Sequence, residues 1–253
     1  MMDSTPPPTQ PAEPPPGPIV RLAVPNVRPY ATYALLGITV FAYLLQLIGQ
    51  FFNFDLFTFL TIKENSFIRD GQFWRLITPV FVHGSILHIG LNMYALWIYG
   101  RGLESRFGHG RFLLLYFLSA FSGNVLSFLL TPNPSLGAST AIFGLLAAEA
   151  AFLLRNRQIL KNSTRSLGNL IYIAAINLLF GFTNSGIDNF GHIGGLLGGL
   201  IFTWFGGPRW KVEGMYPYFT LVDESQENGA IVGISIVLLI FVPLAMLGWI
   251  WPQ

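Results

Sequence analysis

Charged residues are spaced so widely in this chain that most of it can fold only as segments crossing a lipid bilayer. No Asp, Glu, Lys or Arg occurs in 29–54, 76–100, 112–148, 166–187, 189–208 or 228–253. A helix needs about 20 apolar residues to cross the hydrocarbon core. Five of these gaps fit one span each, and the gap over 112–148 fits two, divided at "TPNPS" (131–135). The spacing predicts helices near 31–52, 82–100, 112–130, 138–154, 166–183, 189–206 and 229–250. Backbone groups in lipid must be satisfied internally, which leaves helix bundles and closed barrels. Long unbroken apolar runs read as helices rather than barrel alternation, so strands are not expected. The expected fold class is an all-α polytopic membrane protein. Only 10% of the residues are charged, against about 25% in a soluble domain.

The remaining charges orient the bundle. With the N-terminus inside, the inner segments hold Arg21, Arg28, Arg101, Arg106, Arg111, Arg155, Arg157, Lys161, Arg165, Arg209 and Lys211, which is 11 of 14 basic residues. Only Lys63, Arg69 and Arg75 fall outside. The excess of basic residues in cytoplasmic loops therefore predicts an inner N-terminus and an outer C-terminus. The composition fits a bacterial inner membrane. Ten of the 17 prolines lie in 1–29, which reads as a disordered cytoplasmic tail. The stretch over 53–81 is too polar to span and too apolar to float. It is expected to lie in the outer interface, with Trp74 and Arg75 at headgroup level.

Several chemistries are excluded. There is no cysteine, hence no disulfide and no thiolate metal site. HExxH is absent and the spans hold one carboxylate, Glu149, which argues against metal-dependent and paired-carboxylate mechanisms. No cofactor and no metal are expected. A net charge of +2 is too small to imply nucleic acid.

Polar side chains at membrane depth are costly and point to function by default. Ser139 begins the fourth span, where it reads either as a helix cap or as a nucleophile. His192 lies in "DNFGHIGGLLGG" and reads either as a hydrogen-bonded structural residue or as a base. Gly191, Gly195 and Gly199 make a small-residue stripe that lets helices approach closely, and Gly144, Ala147 and Ala151 make a second. Ser139 stands 16 residues from Arg155 and His192 stands 17 from Arg209. At about 1.5 Å per residue these are heights of roughly 24 and 25 Å above the inner boundary. The two residues therefore match in depth. His88 and Asn92 are four apart on one helix face and suit oxyanion donation beside a Ser–His pair. The alternative for each is a structural hydrogen bond, which is also the expectation for His83. His109 is expected to be solvated, Glu149 to pair with a basic residue such as Arg155, Asn177 to join two helices and Asp188 to cap the sixth span, leaving a dyad rather than a triad.

Four blocks, in order, resemble the rhomboid intramembrane serine proteases. They are "GQFWRLITPVFVHGSILHIGLNM" (71–93), "GLESRFGHGRF" (102–112), "GASTAIFG" (137–144) and "GHIGGLLGG" (191–199). The resemblance covers about residues 30–206. It implies a catalytic core of six helices over 30–206, with a long first loop at about 53–81. A linker and an appended seventh helix would then fill 207–253. It also implies Ser139 as nucleophile, His192 as general base, and His88 and Asn92 in the oxyanion hole. Gly137, Phe143, Gly195 and Gly199 would support the site. Trp74 and Arg75 match a structural motif, and Glu104 and Arg106 a cytoplasmic-loop brace. The substrates would be transmembrane helices cut near the outer face, and the other partners membrane lipids. Where the family often has Gly after the nucleophile, this chain has Thr140, and a β-branched residue there is expected to narrow the oxyanion pocket. The competing readings are a catalytically weak or inactive rhomboid-like protein that binds membrane clients, and a transporter or channel. The latter needs a polar pathway through inner halves that hold little beyond Glu149.

Overall fold

A computed structural model describes residues 21–23, 26–160, 163–184, 186–225 and 227–251. Most of the Pro-rich tail lies outside the described residues. The protein is a multi-pass membrane protein built of helices. Those that shape the bundle are α1 (Tyr30–Phe51), α4 (Ile86–Ala95), α5 (Arg101–Phe107), α6 (His109–Leu130), α7 (Ser139–Arg155), α8 (Ser163–Thr183), α9 (Asn189–Gly206) and α10 (Gly229–Ile250). The first long loop contributes α2 (Leu56–Thr61) and α3 (Asn65–Arg69). By length and composition, α1, α6, α8 and α10 are each apolar enough to cross a membrane. A π turn over Leu96–Gly100 joins α4 to α5 in one continuous rod. Gly108, at φ 78°, ends that rod and begins α6.

The centre of the bundle is α6, α7 and α9. Two glycines explain how closely α9 meets α7. A Cβ at Gly195 would lie 2.0 Å from the Thr140 carbonyl oxygen, and one at Gly199 would lie 2.2 Å from that of Gly144. The backbones touch, so any larger residue would push the helices apart. Helix α10 packs on α9 and α6, while α8 leans mainly on α7. Only 11% of the apolar window of α8 is buried, against 56% for α6, so α8 is the long helix most open to lipid.

The loop over 53–81 is strapped down by its own side chains. Arg75 is fully buried. Its guanidinium donates to Gln72 Oε1 and the Ile62 carbonyl, both at 2.8 Å, and sits 4.5 Å over the Phe67 ring. Those partners satisfy a charge that an extended side chain would otherwise carry to water. Trp74 is half exposed and donates to the Leu60 carbonyl at 3.1 Å. From the other end of the chain, Trp249 of α10 donates to the Arg69 carbonyl at 2.7 Å.

Strands do occur, outside the helical bundle. They are β1 (Arg21–Ala23), β2 (Trp210–Met215) and β3 (Tyr218–Asp223), arranged β1-β3-β2. The hairpin pairs Trp210 with Asp223, and β1 adds in parallel, Arg21 beside Tyr218. A segment of the expected tail is thus a strand. An ion pair of 2.5 Å between Arg111 and Asp223 ties the sheet to α6.

Candidate active site

Ser139 is the first residue of α7, and the cap position belongs to Ala138 with no side-chain cap bond. The hydroxyl therefore does not cap the helix. It faces His192, whose Nε2 lies 2.9 Å from Ser139 Oγ. The pairing follows from local structure. Asp188 caps α9 by accepting from the Gly191 N–H at 2.8 Å, which starts the helix one turn before His192. The glycine contacts then bring the start of α9 against the start of α7.

His192 is held on its far side as well. The Phe143 ring, one turn along α7 from Ser139, stacks on His192 with centroids 4.1 Å apart and planes 7° apart. His192 is 8% exposed. Its Nδ1 has no hydrogen-bond partner among the described residues. The Asp188 carboxylate is engaged elsewhere, by Ser127, by Thr131 Oγ1 at 3.3 Å and by the helix start. The constellation is a pair rather than a triad.

Gly137 stands before Ala138 with φ 122°, a conformation open to glycine, and its N–H donates to the Pro79 carbonyl at 2.9 Å. A side chain there would meet the His88 ring at 2.7 Å, so His88 lies against the chain just before Ser139. His83 packs edge-on to His88 at 5.0 Å, and its Nε2 accepts from the Ala138 N–H at 3.3 Å. Asn92 is buried and donates to the His88 carbonyl at 2.9 Å. Among the described residues, neither Asn92 nor His88 is hydrogen-bonded to Ser139 or His192. The N–H groups at the start of α7 lack intrahelical acceptors, as at every helix start.

The Thr140 side chain turns away from His88 and Gly137. Its Cβ and methyl fill the space left at Gly123 of α6 and Gly191 of α9, where a glycine Cβ would meet them at 2.7 and 3.1 Å. The Thr140 methyl is thus taken up between α6 and α9.

Other expectations change. Glu149 pairs with Arg106, not Arg155, because the rod that ends in α5 runs against α7. Arg155 donates instead to the Thr203 and Gly207 carbonyls at 3.0 and 3.1 Å. Glu104 is fully buried and accepts from the Ala31 and Thr32 N–H groups and the Thr32 hydroxyl at 2.6–2.8 Å. It thereby holds the start of α1. His109 is partly exposed but bonded to Glu104 at 2.5 Å. Asn177 faces outward and donates to the Ile173 carbonyl of its own helix, so among the described residues it joins no second helix.

The sequence reading passed over a polar series in α6. Ser119, Ser122, Asn124 and Ser127 are all buried. Asn124 donates to the Leu76 carbonyl at 3.1 Å, and Ser127 donates to Asp188. The signal was available as four small polar residues inside one charge-free stretch. Lys63 was missed as well. Its ammonium is buried and donates to the Thr131 and Asn133 carbonyls at 2.9 Å. Burial lowers its pKa to about 8, with Asp188 and Glu64 opposing. It pins the first loop to the segment leading into Ser139.

A family profile described as "Rhomboid domain" matches residues 70–209. Among curated proteins, the chain is 44% identical over 177 residues to "Rhomboid protease GluP" of Bacillus subtilis (strain 168), covering 69% of this chain and 34% of that one. It is 42% identical over 134 residues to "RHOMBOID-like protein 6, mitochondrial" of Arabidopsis thaliana, covering 53% and 43%. It is 40% identical over 131 residues to "Rhomboid-like protease 3" of Toxoplasma gondii, covering 51% and 50%. The chain spans between a third and a half of the length of these relatives.

Proposed function

This chain belongs to the rhomboid family, and on that premise we propose that it is an intramembrane serine endopeptidase acting through a Ser139–His192 dyad. The observation that carries the reading is the 2.9 Å approach of Ser139 Oγ to His192 Nε2, with His192 stacked flat on Phe143. A nucleophile within hydrogen-bond reach of an oriented base is the requirement for acyl transfer by serine.

The chemistry runs in two halves. Ser139 Oγ attacks the substrate carbonyl carbon while its proton passes to His192 Nε2. The tetrahedral oxyanion accepts hydrogen bonds from N–H groups at the start of α7 and from donors on α4. His88 and Asn92 take the latter role once their side chains swing toward the substrate oxygen. His192 then protonates the leaving amine and the C–N bond breaks. Water, deprotonated by His192, attacks the ester, releases the new carboxylate and restores the Ser139 hydroxyl. His192 must carry its resting proton on Nδ1 for Nε2 to act as base. Stacking on Phe143 fixes the ring plane in place of a third residue.

The substrates are transmembrane helices of other proteins. A helix must unwind to present a peptide carbonyl, so small or helix-breaking residues near its outer end suit the site. The loosely packed α8 is the side by which such a segment reaches Ser139. The catalytic core is residues 30–206, arranged as six spans with a seventh at α10, and the excess of basic residues in the loops on the N-terminal side supports a cytoplasmic N-terminus. The bilayer is a bacterial inner membrane.

The reading is tested by labelling the purified protein with a fluorophosphonate and mapping the adduct. Modification at Ser139 that disappears in His192→Ala supports it. Equal labelling of another serine in both proteins overturns it.

A further inference from the structure

At the ends of α7 and α9 farthest from Ser139 and His192, the chain forms a cleft of about 630 Å³. Its floor is built, not incidental. Asn156 donates to the Phe152 and Pro208 carbonyls and accepts from the Trp210 N–H at 2.7 Å. The Trp210 ring stands edge-on to Phe152 at 4.9 Å. Arg155, Arg157, Arg209 and Lys211 line the cleft, against one carboxylate, Glu224. Glu224 pairs with Lys211 at 3.3 Å, and nearby Asp223 is taken by Arg111 and by the Arg209 backbone N–H at 3.0 Å. Among the described residues, Arg155 donates only to the two carbonyls at the end of α9. The side chains of Arg157 and Arg209 make no ion pair or hydrogen bond among the described residues. Three guanidinium groups therefore share one concavity without a neutralising carboxylate bonded to any of them.

On its bilayer side the cleft is bordered by Leu154 and Trp204, both exposed apolar residues in the last turns of their helices. A tryptophan there marks the level of the headgroups. Guanidinium groups match the oxygen geometry of phosphate, and basic pockets beside transmembrane helices at the cytoplasmic face suit anionic lipid headgroups.

We propose that this cleft binds the phosphodiester headgroup of an anionic membrane lipid, with Arg157 and Arg209 on the phosphate and the acyl chains running out past Leu154 and Trp204. The phosphate offsets like-charge repulsion among Arg155, Arg157 and Arg209 that Asp223 offsets only in part. Its position beside the Pro208–Trp210 turn couples lipid binding to the junction between α9 and the sheet. The site lies at the opposite end of the bundle from the dyad, so the proposal stands or falls independently of peptide cleavage.

The test uses the full chain in phosphatidylcholine micelles, titrated with phosphatidylglycerol while the thermal unfolding midpoint is followed. A saturable rise is expected, because a ligand of the folded state stabilises it. Arg157→Gln/Arg209→Gln should bind roughly 30-fold more weakly and Arg157→Gln alone roughly fivefold. Arg28→Gln/Arg165→Gln, which removes two exposed inner charges outside the cleft, should titrate as wild type. Equal affinities for the wild type and the Arg157/Arg209 variant overturn the proposal. So does equal weakening in both double variants, which would mean diffuse attraction. An inorganic phosphate titration giving the same saturable rise would assign the cleft to a free anion and overturn the lipid.

Discussion

The imidazole of His192 lies parallel to the Phe143 ring, with centroids 4.1 Å apart and planes at 7°, while its Nδ1 meets no protein partner among the described residues. Orientation in this pair thus rests on ring contact, where a triad would use a carboxylate. Aromatic stacking is worth about 0.5–1.5 kcal/mol beyond area burial. Phe143→Leu should therefore lower the rate of peptide cleavage by up to about tenfold. The thermal unfolding midpoint should move little. Cleavage kinetics on a reporter transmembrane substrate check this, and an unchanged rate in Phe143→Leu removes the stacking from the account.

Gly195 and Gly199 tie the chemistry to how closely two helices approach. Each would drive a Cβ into a carbonyl oxygen of α7 at 2.0 or 2.2 Å. Overpacking usually costs about 1–3 kcal/mol, and more where backbone must move. Gly199→Ala should lower the unfolding midpoint and abolish cleavage together, because separating α7 from α9 lengthens the Ser139–His192 contact. A variant that stays fully stable and active would show that the contact is not tight.

The Arg106–Glu149 pair is mostly buried, with side chains 19% and 16% exposed. Removing one partner leaves the other charge without compensation, at a cost of about 3 kcal/mol. Glu149→Gln should be destabilised by that order, whereas Arg106→Met/Glu149→Leu should recover most of the loss. Chemical unfolding of the single and double variants in micelles measures both. A double variant no better than the single one would contradict the pairing.

Lys63 gives a pH dependence with a definite sign. Burial lowers its folded pKa to about 8 from 10.5, so the folded state holds this proton less tightly than the unfolded chain. The stabilising contribution is complete above the unfolded pKa and is lost as pH falls through about 8. Between pH 7 and 10 the wild type should therefore gain stability relative to Lys63→Met, read as the difference between their unfolding midpoints. A flat difference would place the ammonium in solvent rather than under the Thr131 and Asn133 carbonyls.

The helices were legible because burying a charge in lipid is so costly that charge-free stretches mark spans almost directly. That Ser139 and His192 stand at one level of the bundle was legible for a similar reason, since helix rise converts sequence distance into height. Partners across the bundle were not. Glu149 finds Arg106 because α5 continues the α4 rod alongside α7, and nothing in "YALWIYGRGL" announces which face of α7 that rod meets. Asn177 faces outward because the polar side of α8 is decided by what packs on it. The sheet escaped because its strands are six residues or fewer and lie among charges, where hydropathy carries no span signal. The role of Thr140 was hidden too, since only the packed structure shows glycines on two other helices making room for it.

The most direct measurement is cleavage of a reconstituted reporter transmembrane helix by the wild type, Ser139→Ala and His192→Ala at equal amounts of folded protein. The account predicts a cut near the outer end of the reporter by the wild type. Both variants should fall by at least about a thousandfold, as when a member of a nucleophile–base pair is removed. Cleavage by either variant at the wild-type rate would contradict the dyad. A wild type that cuts no substrate and ignores fluorophosphonates would point to a client-binding relative without protease activity.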